Sequence, residues 1–129
     1  MIFERLPKIT KVEGGASPLS SPEFALNNYK VVAFIIDNPD ENELTVKVKA
    51  NTEGGTAENI PFLFKVNTDT EYEKIDATGK TLTAGGVYVA AVTADALERK
   101  ELDRVSIELT SASNINTVYV LQTQPRYNE

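Results

Sequence analysis

The sequence predicts an all-β fold, an antiparallel β-sandwich that is Ig-like or jelly-roll-like, with about 7–8 strands behind an extended N-terminal arm. Two observations carry this prediction. Apolar and polar residues alternate along most of the chain after residue 28, and turn-forming residues interrupt the alternation roughly every 8–12 residues. At 129 residues the chain fits one domain, which we divide into an arm, 1–28, and a sandwich, 29–129.

The N-terminal arm differs in composition from the rest of the chain. Residues 14–22, G-G-A-S-P-L-S-S-P, combine small residues with two prolines, which cannot sustain a helix or a central strand. One edge strand fits at residues 7–12. Ile2, Phe3 and Leu6 make the arm too apolar for a purely solvated tail, so we expect it to pack on its own domain or on a neighbouring molecule.

Charge is also uneven between the arm and the body. Residues 1–12 carry Arg5, Lys8 and Lys11 against Glu4, a net charge of +2, whereas the whole chain carries −6 and the remainder therefore −8. A basic arm on an acidic body can dock on an acidic partner surface. The alternative is a tail kept soluble by a few charges.

The predicted strands begin at V-V-A-F-I-I, residues 31–36. This run is apolar on both faces, so we expect a central strand covered on both sides. In residues 43–50, E-L-T-V-K-V-K-A, apolar residues alternate with Thr and Lys, which is typical of a half-buried strand. Further strands are predicted at P-F-L-F-K-V, V-Y-V-A-A-V, V-S-I-E-L-T and V-Y-V-L-Q, with Y-E-K-I as a short one.

The connections between these strands contain turn formers. D-N-P-D-E-N, residues 37–42, places a proline where the chain must reverse. The helical candidate is A-D-A-L-E-R-K-E-L, residues 94–102, where Asp95 followed by Glu98 fits an N-cap with a reciprocal acid. We expect one or two helical turns at a corner of the sandwich.

A-T-G-K-T, residues 77–81, ends like a phosphate-binding loop. That loop has the pattern G-x-x-x-x-G-K-[ST], and its first glycine would fall at Lys74. The residues that follow are β-branched and glycine-containing, which is poor helix material. We therefore interpret this stretch as a turn between two strands.

Composition removes several classes of function. The chain has no cysteine and no histidine, which excludes disulfides, thiolate metal sites and nucleophiles with a histidine base. We therefore expect neither enzymatic activity nor a cofactor. The net charge of −6 opposes nucleic-acid binding, and the longest apolar run is far shorter than a membrane span. Charges of both signs precede any apolar run at the N-terminus, so we expect no secretory signal.

Two clusters of acidic residues remain as candidate sites. The first contains Asp37, Asp40, Glu41 and Glu43, and the second lies in residues 69–73. Oxygen-rich loops of this kind can bind calcium, and the first cluster is the better candidate. The alternative is a solvated loop and an acid-rich edge strand, whose charge discourages aggregation.

Sugar-directed functions have little support. Paired carboxylates can hydrolyse glycosides, but the chain has no Trp on which a sugar could stack. Tyr88 and Tyr119 are expected on the strand face opposite their valine neighbours. A tyrosine on the outer face of a strand can contact a binding partner. The alternative is that it packs beneath a loop of its own domain.

Three stretches are similar to a known group of proteins. They are T-L-T-A-G-G-V-Y-V-A-A-V-T-A-D-A-L, L-D-R-V-S-I-E-L and V-Y-V-L-Q-T-Q-P-R-Y, and the upstream L-T-V-K-V-K-A-N-T-E-G-G-T-A adds to them. Together they resemble small structural proteins of tailed bacteriophages and prophages, encoded among head genes near the major capsid protein. The resemblance covers about residues 30–127 and does not include the arm.

The resemblance implies a virion structural component without a catalytic role, synthesised in the cytoplasm of a bacterial host. Head decoration or capsid stabilisation is the first interpretation, and a tail or head–tail junction component the second. The implied partners are the major capsid or other virion proteins and further copies of the chain, with neither nucleic acid nor membrane. A surface-displayed adhesive or carbohydrate-binding sandwich is the competing class, and a small enzyme comes third.

Five residues are candidate interface residues in such an assembly. Ile2, Phe3 and Leu6 become buried if the arm orders on a neighbouring subunit. Arg126 and Tyr127 belong to residue types enriched at interface hot spots. The alternative is that Arg126 and Tyr127 belong to a frayed C-terminus.

Overall fold

A computed structural model of the protein describes residues 8–25, 29–38, 43–52, 54–83, 85–93, 102–112 and 114–125. Twelve strands lie within them, in two antiparallel sheets packed face to face, so the predicted antiparallel β-sandwich is confirmed. The bounds are β1 Lys8–Val12, β2 Leu19–Ser20, β3 Phe24–Ala25, β4 Tyr29–Asn38, β5 Leu44–Asn51, β6 Glu58–Ile60, β7 Phe62–Val66, β8 Glu73–Ile75, β9 Lys80–Leu82, β10 Gly86–Thr93, β11 Arg104–Ser111 and β12 Val118–Pro125.

The two sheets differ in how the chain builds them. The first sheet has the order β1-β12-β4-β10-β7-β8, and each neighbouring pair in it is antiparallel. The second sheet has the order β2-β11-β5-β6, with β3 also pairing with β11 and β9 also pairing with β5. The strands that pair are mostly distant in sequence, so neither sheet forms from local hairpins alone.

The core lies between the sheets and follows the period-two pattern of the sequence. Along β5 and β11 buried residues alternate with half-buried ones, as the sequence predicts. Phe34 of β4 is fully buried and meets Phe24 of β3 edge to face, with ring centroids 6.2 Å apart. Since β4 and β3 belong to different sheets, this aromatic pair joins them across the core.

The strand β4 is central in its sheet, as predicted, because β12 and β10 pair with its two sides. Its inward side chains, Val32, Phe34 and Ile36, are at most 1% exposed. On the outward side Ala33 is buried, but Val31 and Ile35 are half-buried. The outer face of this strand is therefore covered less completely than the inner face.

Residues 8–25 are built into both sheets. The predicted edge strand at residues 7–12 is confirmed as β1, which pairs with β12 at the edge of the first sheet. Further along, the hydroxyl of Ser17 accepts a 2.8 Å hydrogen bond from the amide of Ser111, and that of Ser21 accepts one of 2.9 Å from the amide of Ile107. This segment therefore crosses from the edge of the first sheet to β11 of the second.

More strands are present than the sequence predicts, because four strands of only two or three residues, β2, β3, β6 and β9, were not predicted. Such short strands contain no full period of alternation, and their pairing partners define them instead. The predicted helix at 94–102 lies outside the described residues except for Leu102, which packs against the core.

Candidate interaction surfaces

The two outer faces of the sandwich differ in chemistry. The outer face of the second sheet is polar, with Thr, Lys, Ser and Glu at the outward positions of β5 and β11. Lys49 and Glu108 form an ion pair of 3.2 Å across these two strands. This face is typical of one in contact with solvent.

The outer face of the first sheet is apolar across five of its six strands. One row of paired residues runs Ile9, Leu121, Ala33, Ala91, Leu63 from β1 to β7. The parallel row places Tyr119, Ile35 and Val89 side by side.

Several members of this apolar outer face remain accessible. Ile9 is 71% exposed, Tyr119 46% and Val87 37%. Around Leu63 and Ala91 the surface dips into a small, mainly apolar depression of about 130 Å³. Between these side chains Ala33, Val89 and Ala91 are at most 7% exposed. Large exposed apolar side chains around such a centre are candidates for protein–protein contact.

A second feature is a polar cleft of about 350 Å³, where the β7–β8 end of the first sheet faces β9. Its floor is a stacked pair, Phe64 and Tyr88, with ring centroids 5.6 Å apart. Tyr88 does lie opposite Val87 and Val89, as predicted, but it points inward and is buried. Tyr119 lies opposite Val118 and Val120 on the accessible side.

The rim of this polar cleft holds the second acidic cluster in a nearly balanced set of charges. Glu73 pairs with Lys80 at 3.0 Å. Lys65 donates to the carbonyl of Asp69 at 3.1 Å and stands 5.1 Å from the ring centroid of Tyr72. Lys80 pairs with a carboxylate and Lys65 with a backbone carbonyl, so the described residues of the cleft present no free cation, and its three acids exceed its two lysines by one charge.

The first acidic cluster is only partly described. Asp37 and Glu43 are exposed, and the backbone carbonyl of Asp37 accepts a 3.2 Å hydrogen bond from the side-chain Nδ2 of Asn116. Asp40 and Glu41 lie outside the described residues. Among the residues that are described, no three Asp, Glu, His or Cys side chains are grouped closely enough to hold a metal ion.

The stretch A-T-G-K-T forms the turn between β8 and β9, as the sequence predicts. Gly79 has φ of +96°, and a Cβ there would lie 2.6 Å from the carbonyl oxygen of Val46. Glycine is thus required for a left-handed turn against β5. Asp76 closes the turn by accepting hydrogen bonds from the backbone amide of Thr78, at 3.0 Å, and from its hydroxyl.

These bonds lower the pKa of Asp76 below its ordinary value of 3.8, and the hydroxyl of Thr78 is the larger cause. Because the folded pKa is depressed, the stabilisation is present above pH 3.8 and is lost as pH falls through the folded value. We expect Thr78→Val to raise the Asp76 pKa toward 3.8, measured by an NMR titration of the carboxyl group. An unchanged pKa in this variant would contradict the assigned cause.

The five candidate interface residues of the sequence, Ile2, Phe3, Leu6, Arg126 and Tyr127, all lie outside the described residues. Among the described residues, the accessible apolar side chains that sequence reasoning missed are Ile9, Val66, Val87 and Tyr72. Alternation identifies the face on which each of them lies. It does not show whether that face is the core or the surface.

Within its described part the chain has no helix with the length and apolar character that a bilayer crossing requires.

Comparison with known proteins gives one informative likeness. No protein-family model matches the chain, and no curated protein matches it significantly in sequence. Its fold is similar to that in the crystal structure of the SPBc2 prophage-derived protein YomS, with a TM-score of 0.55 and 17% sequence identity. The superposition covers 94% of this chain and 98% of the other. The two proteins therefore share a fold along nearly their whole lengths.

Proposed function

We propose that this protein is a non-enzymatic structural component of a phage or prophage particle, which works by binding other copies of itself and the surrounding lattice. The role we favour is head decoration or stabilisation of the capsid. The proposed partners are the major capsid protein or other virion proteins, and the proposed location is the virion. Neither nucleic acid nor a membrane is part of this role.

The observation that carries the proposal is the contrast between the two outer faces. In the described part of the chain, the polar outer face of the second sheet has no counterpart to the apolar outer face of the first, where Ile9, Tyr119 and Val87 are accessible. A sandwich that remains free in solution gains nothing from one apolar side, whereas a subunit seated on a lattice buries it. The fold shared with a prophage-derived protein supports a phage or prophage as the setting.

Two alternatives belong to neighbouring classes. A tail or head–tail junction component would use the same surfaces with fewer copies. A surface-displayed carbohydrate-binding module would need an accessible aromatic platform. The stacked pair in the polar cleft does not provide one, because Phe64 and Tyr88 are both buried.

Deletion of the gene from the prophage separates these roles. For a decoration protein we expect normal heads by electron microscopy that rupture on mild heating or at low salt. For a junction component we expect separate heads and tails. Deletion particles that match wild type in morphology, infectivity and thermal stability would contradict a structural role.

The candidate interface residues allow a more local prediction. We expect Arg126→Ala with Tyr127→Ala to reduce incorporation into particles by about tenfold, the effect of losing one interface hot spot. The melting temperature should be unchanged. Incorporation is measured by quantitative mass spectrometry of particles from cells that express the variant, with Thr45→Ala and Lys47→Ala on the polar face as the matched control. A loss of stability without loss of incorporation would make the two residues part of the fold instead.

The arm residues need a milder test than truncation. Deleting residues 1–12 would remove β1 and uncover the side of β12 that pairs with it. Replacing Ile2, Phe3 and Leu6 by serine keeps β1 and removes only the apolar side chains. We propose that this variant folds normally and is incorporated less well.

A further inference from the structure

We infer that copies of this chain associate head to tail through the two edges of the first sheet, so that β1 of one copy lies along the β8 edge of the next, beside residues 69–73. The inference rests on the proposed function, in which the protein binds other copies, and it identifies the surfaces that do so. It also identifies the acidic partner surface for the basic N-terminal segment.

The directions of the edge strands fit this pairing. Five successive antiparallel pairings separate β1 from β8, so the two edges run in opposite directions. A second copy placed beside the first in the same orientation therefore presents its β1 antiparallel to β8. The first sheet then continues from one copy to the next with the same antiparallel pairing, and the apolar outer faces of all copies lie on one side of it.

Both edges have backbone groups available for pairing. Among the described residues β1 pairs with β12 alone, and β8 with β7 alone. In the described part of the chain no strand pairs with the other side of either one, and the N–H and C=O groups along such a side are a template for another strand. Adding a strand at such an edge is a recurrent mode of association.

Charge distinguishes this pairing from the alternatives. The β1 strand carries Lys8 and Lys11, of which Lys11 forms an exposed 3.3 Å ion pair with Glu13. Residues 69–76 at the β8 edge carry four acids and Lys74, a net −3, which the neighbouring Lys65 and Lys80 reduce to −1. A β1 edge facing another β1 edge would oppose lysines, and two β8 edges would oppose acids. Only a β1 edge that faces a β8 edge brings opposite charges together. Such a contact joins two different surfaces and is therefore heterologous.

One register satisfies charge, hydrophobicity and pleat together. If Lys8 lies opposite Glu73, the first residue of β8 in the next copy, antiparallel pairing places Ile9 opposite Tyr72, the residue just before β8, and the rest of β1 beside residues 69–71. Ile9 and Tyr72, at 71% and 43% exposure, are large apolar residues exposed at opposite edges. Ile9 shares the outer row with Lys74 through the chain of pairings, and Tyr72 lies on the same side, beside Lys65. Paired residues thus fall on the same face, as a continuous sheet requires.

Such a contact forms a ring if the rotation between copies closes, and a filament if it does not. Either assembly would present one continuous apolar face to a lattice.

The test uses charge reversal on the full-length chain, followed by sedimentation equilibrium. The first variant, Lys8→Glu with Lys11→Glu, makes both edges acidic, and the second, Glu71→Lys with Glu73→Lys, makes both basic. We expect wild type to form oligomers larger than a dimer, which dissociate as salt rises from about 0.05 to 0.5 M because the contact is charged. Each variant alone should sediment as the 14.1 kDa monomer.

Mixing the two variants tests the head-to-tail arrangement. An equimolar mixture should form species larger than a dimer with the variants in equal amounts, because unlike edges again alternate. A chain with all four changes should also regain the wild-type mass. A mixture that stops at dimers would show pairing of like edges and overturn the inference.

Controls distinguish edge pairing from net charge and from misfolding. Lys30→Glu with Lys47→Glu, and Asp37→Lys with Glu43→Lys, make the same charge changes away from both edges and should keep the wild-type mass. Circular dichroism checks that each variant is folded; loss of the exposed Glu73–Lys80 pair should cost little stability.

Edge pairing and the proposed function can fail independently of each other. A wild-type chain that is monomeric at every salt concentration, yet present in purified particles, overturns edge pairing and retains the particle role. Oligomers that show the mixing behaviour, together with absence from particles, support edge pairing and contradict the particle role.

Discussion

Replacing Phe34 by alanine should lower the free energy of unfolding by about 3–5 kcal/mol, the usual loss for a large aromatic side chain in a packed core. Phe34 is fully buried at the centre of the first sheet and meets Phe24 of the second across the core. Its removal therefore leaves a cavity and also loses the aromatic contact between the sheets. Urea denaturation followed by circular dichroism measures the change.

Tyr119→Ala is the matched control for this prediction. Tyr119 pairs with Ile35, the residue after Phe34, but it projects from the outer face and is 46% exposed. We expect it to cost about 1 kcal/mol or less, as most surface substitutions do. Equal losses for the two variants would contradict the assignment of inner and outer faces.

The second large effect is expected at Gly14, which lies just after β1. A side chain there would collide with the carbonyl oxygen of Ile115 and would lie 2.7 Å from the carbonyl carbon of Asn116. All these atoms belong to the backbone, so no rotamer change relieves the contact. Gly14→Ala should therefore destabilise the protein by about 1–3 kcal/mol, the range for overpacking a well-filled site.

The neighbouring glycine provides the control. A Cβ at Gly15 meets nothing within 4 Å, and Gly15 bonds to Ile115 through its backbone, with its amide donating at 2.9 Å and its carbonyl accepting at 2.7 Å. Gly15→Ala should stay within about 0.5 kcal/mol of wild type. A larger loss of stability for Gly15→Ala than for Gly14→Ala would contradict the path of the chain just after β1. Because this path positions β1, Gly14→Ala should also weaken the oligomer.

The long strands could be predicted because burial on one face imposes alternation on their residues. Residues 44–50 of β5 show this alternation in full, with Leu, Val and Ala inward and Thr and Lys outward. The A-T-G-K-T turn was likewise predictable, since its glycine and polar residues have local reasons to be there. The two-residue strands β2 and β3 were not, because only their partner β11, about 80 residues away in sequence, defines them.

The candidate surfaces were predictable in composition but not in position. Lys8, Lys11 and the acids at 69–73 stand out in the sequence as a basic segment and an acid-rich edge strand. That β1 and β8 form opposite edges of one sheet depends on the strand order, which long-range pairings determine. The same holds for the apolar outer face, because alternation along a strand does not reveal what covers each side.

The proposed structural role requires this protein to be present in particles, and quantitative mass spectrometry of particles purified after induction of the prophage tests that presence most directly. We predict a copy number comparable to that of the major capsid protein. A few copies per particle would instead indicate that the same surfaces act at a head–tail junction or in the tail. Absence from particles that contain the neighbouring capsid proteins would contradict a structural role.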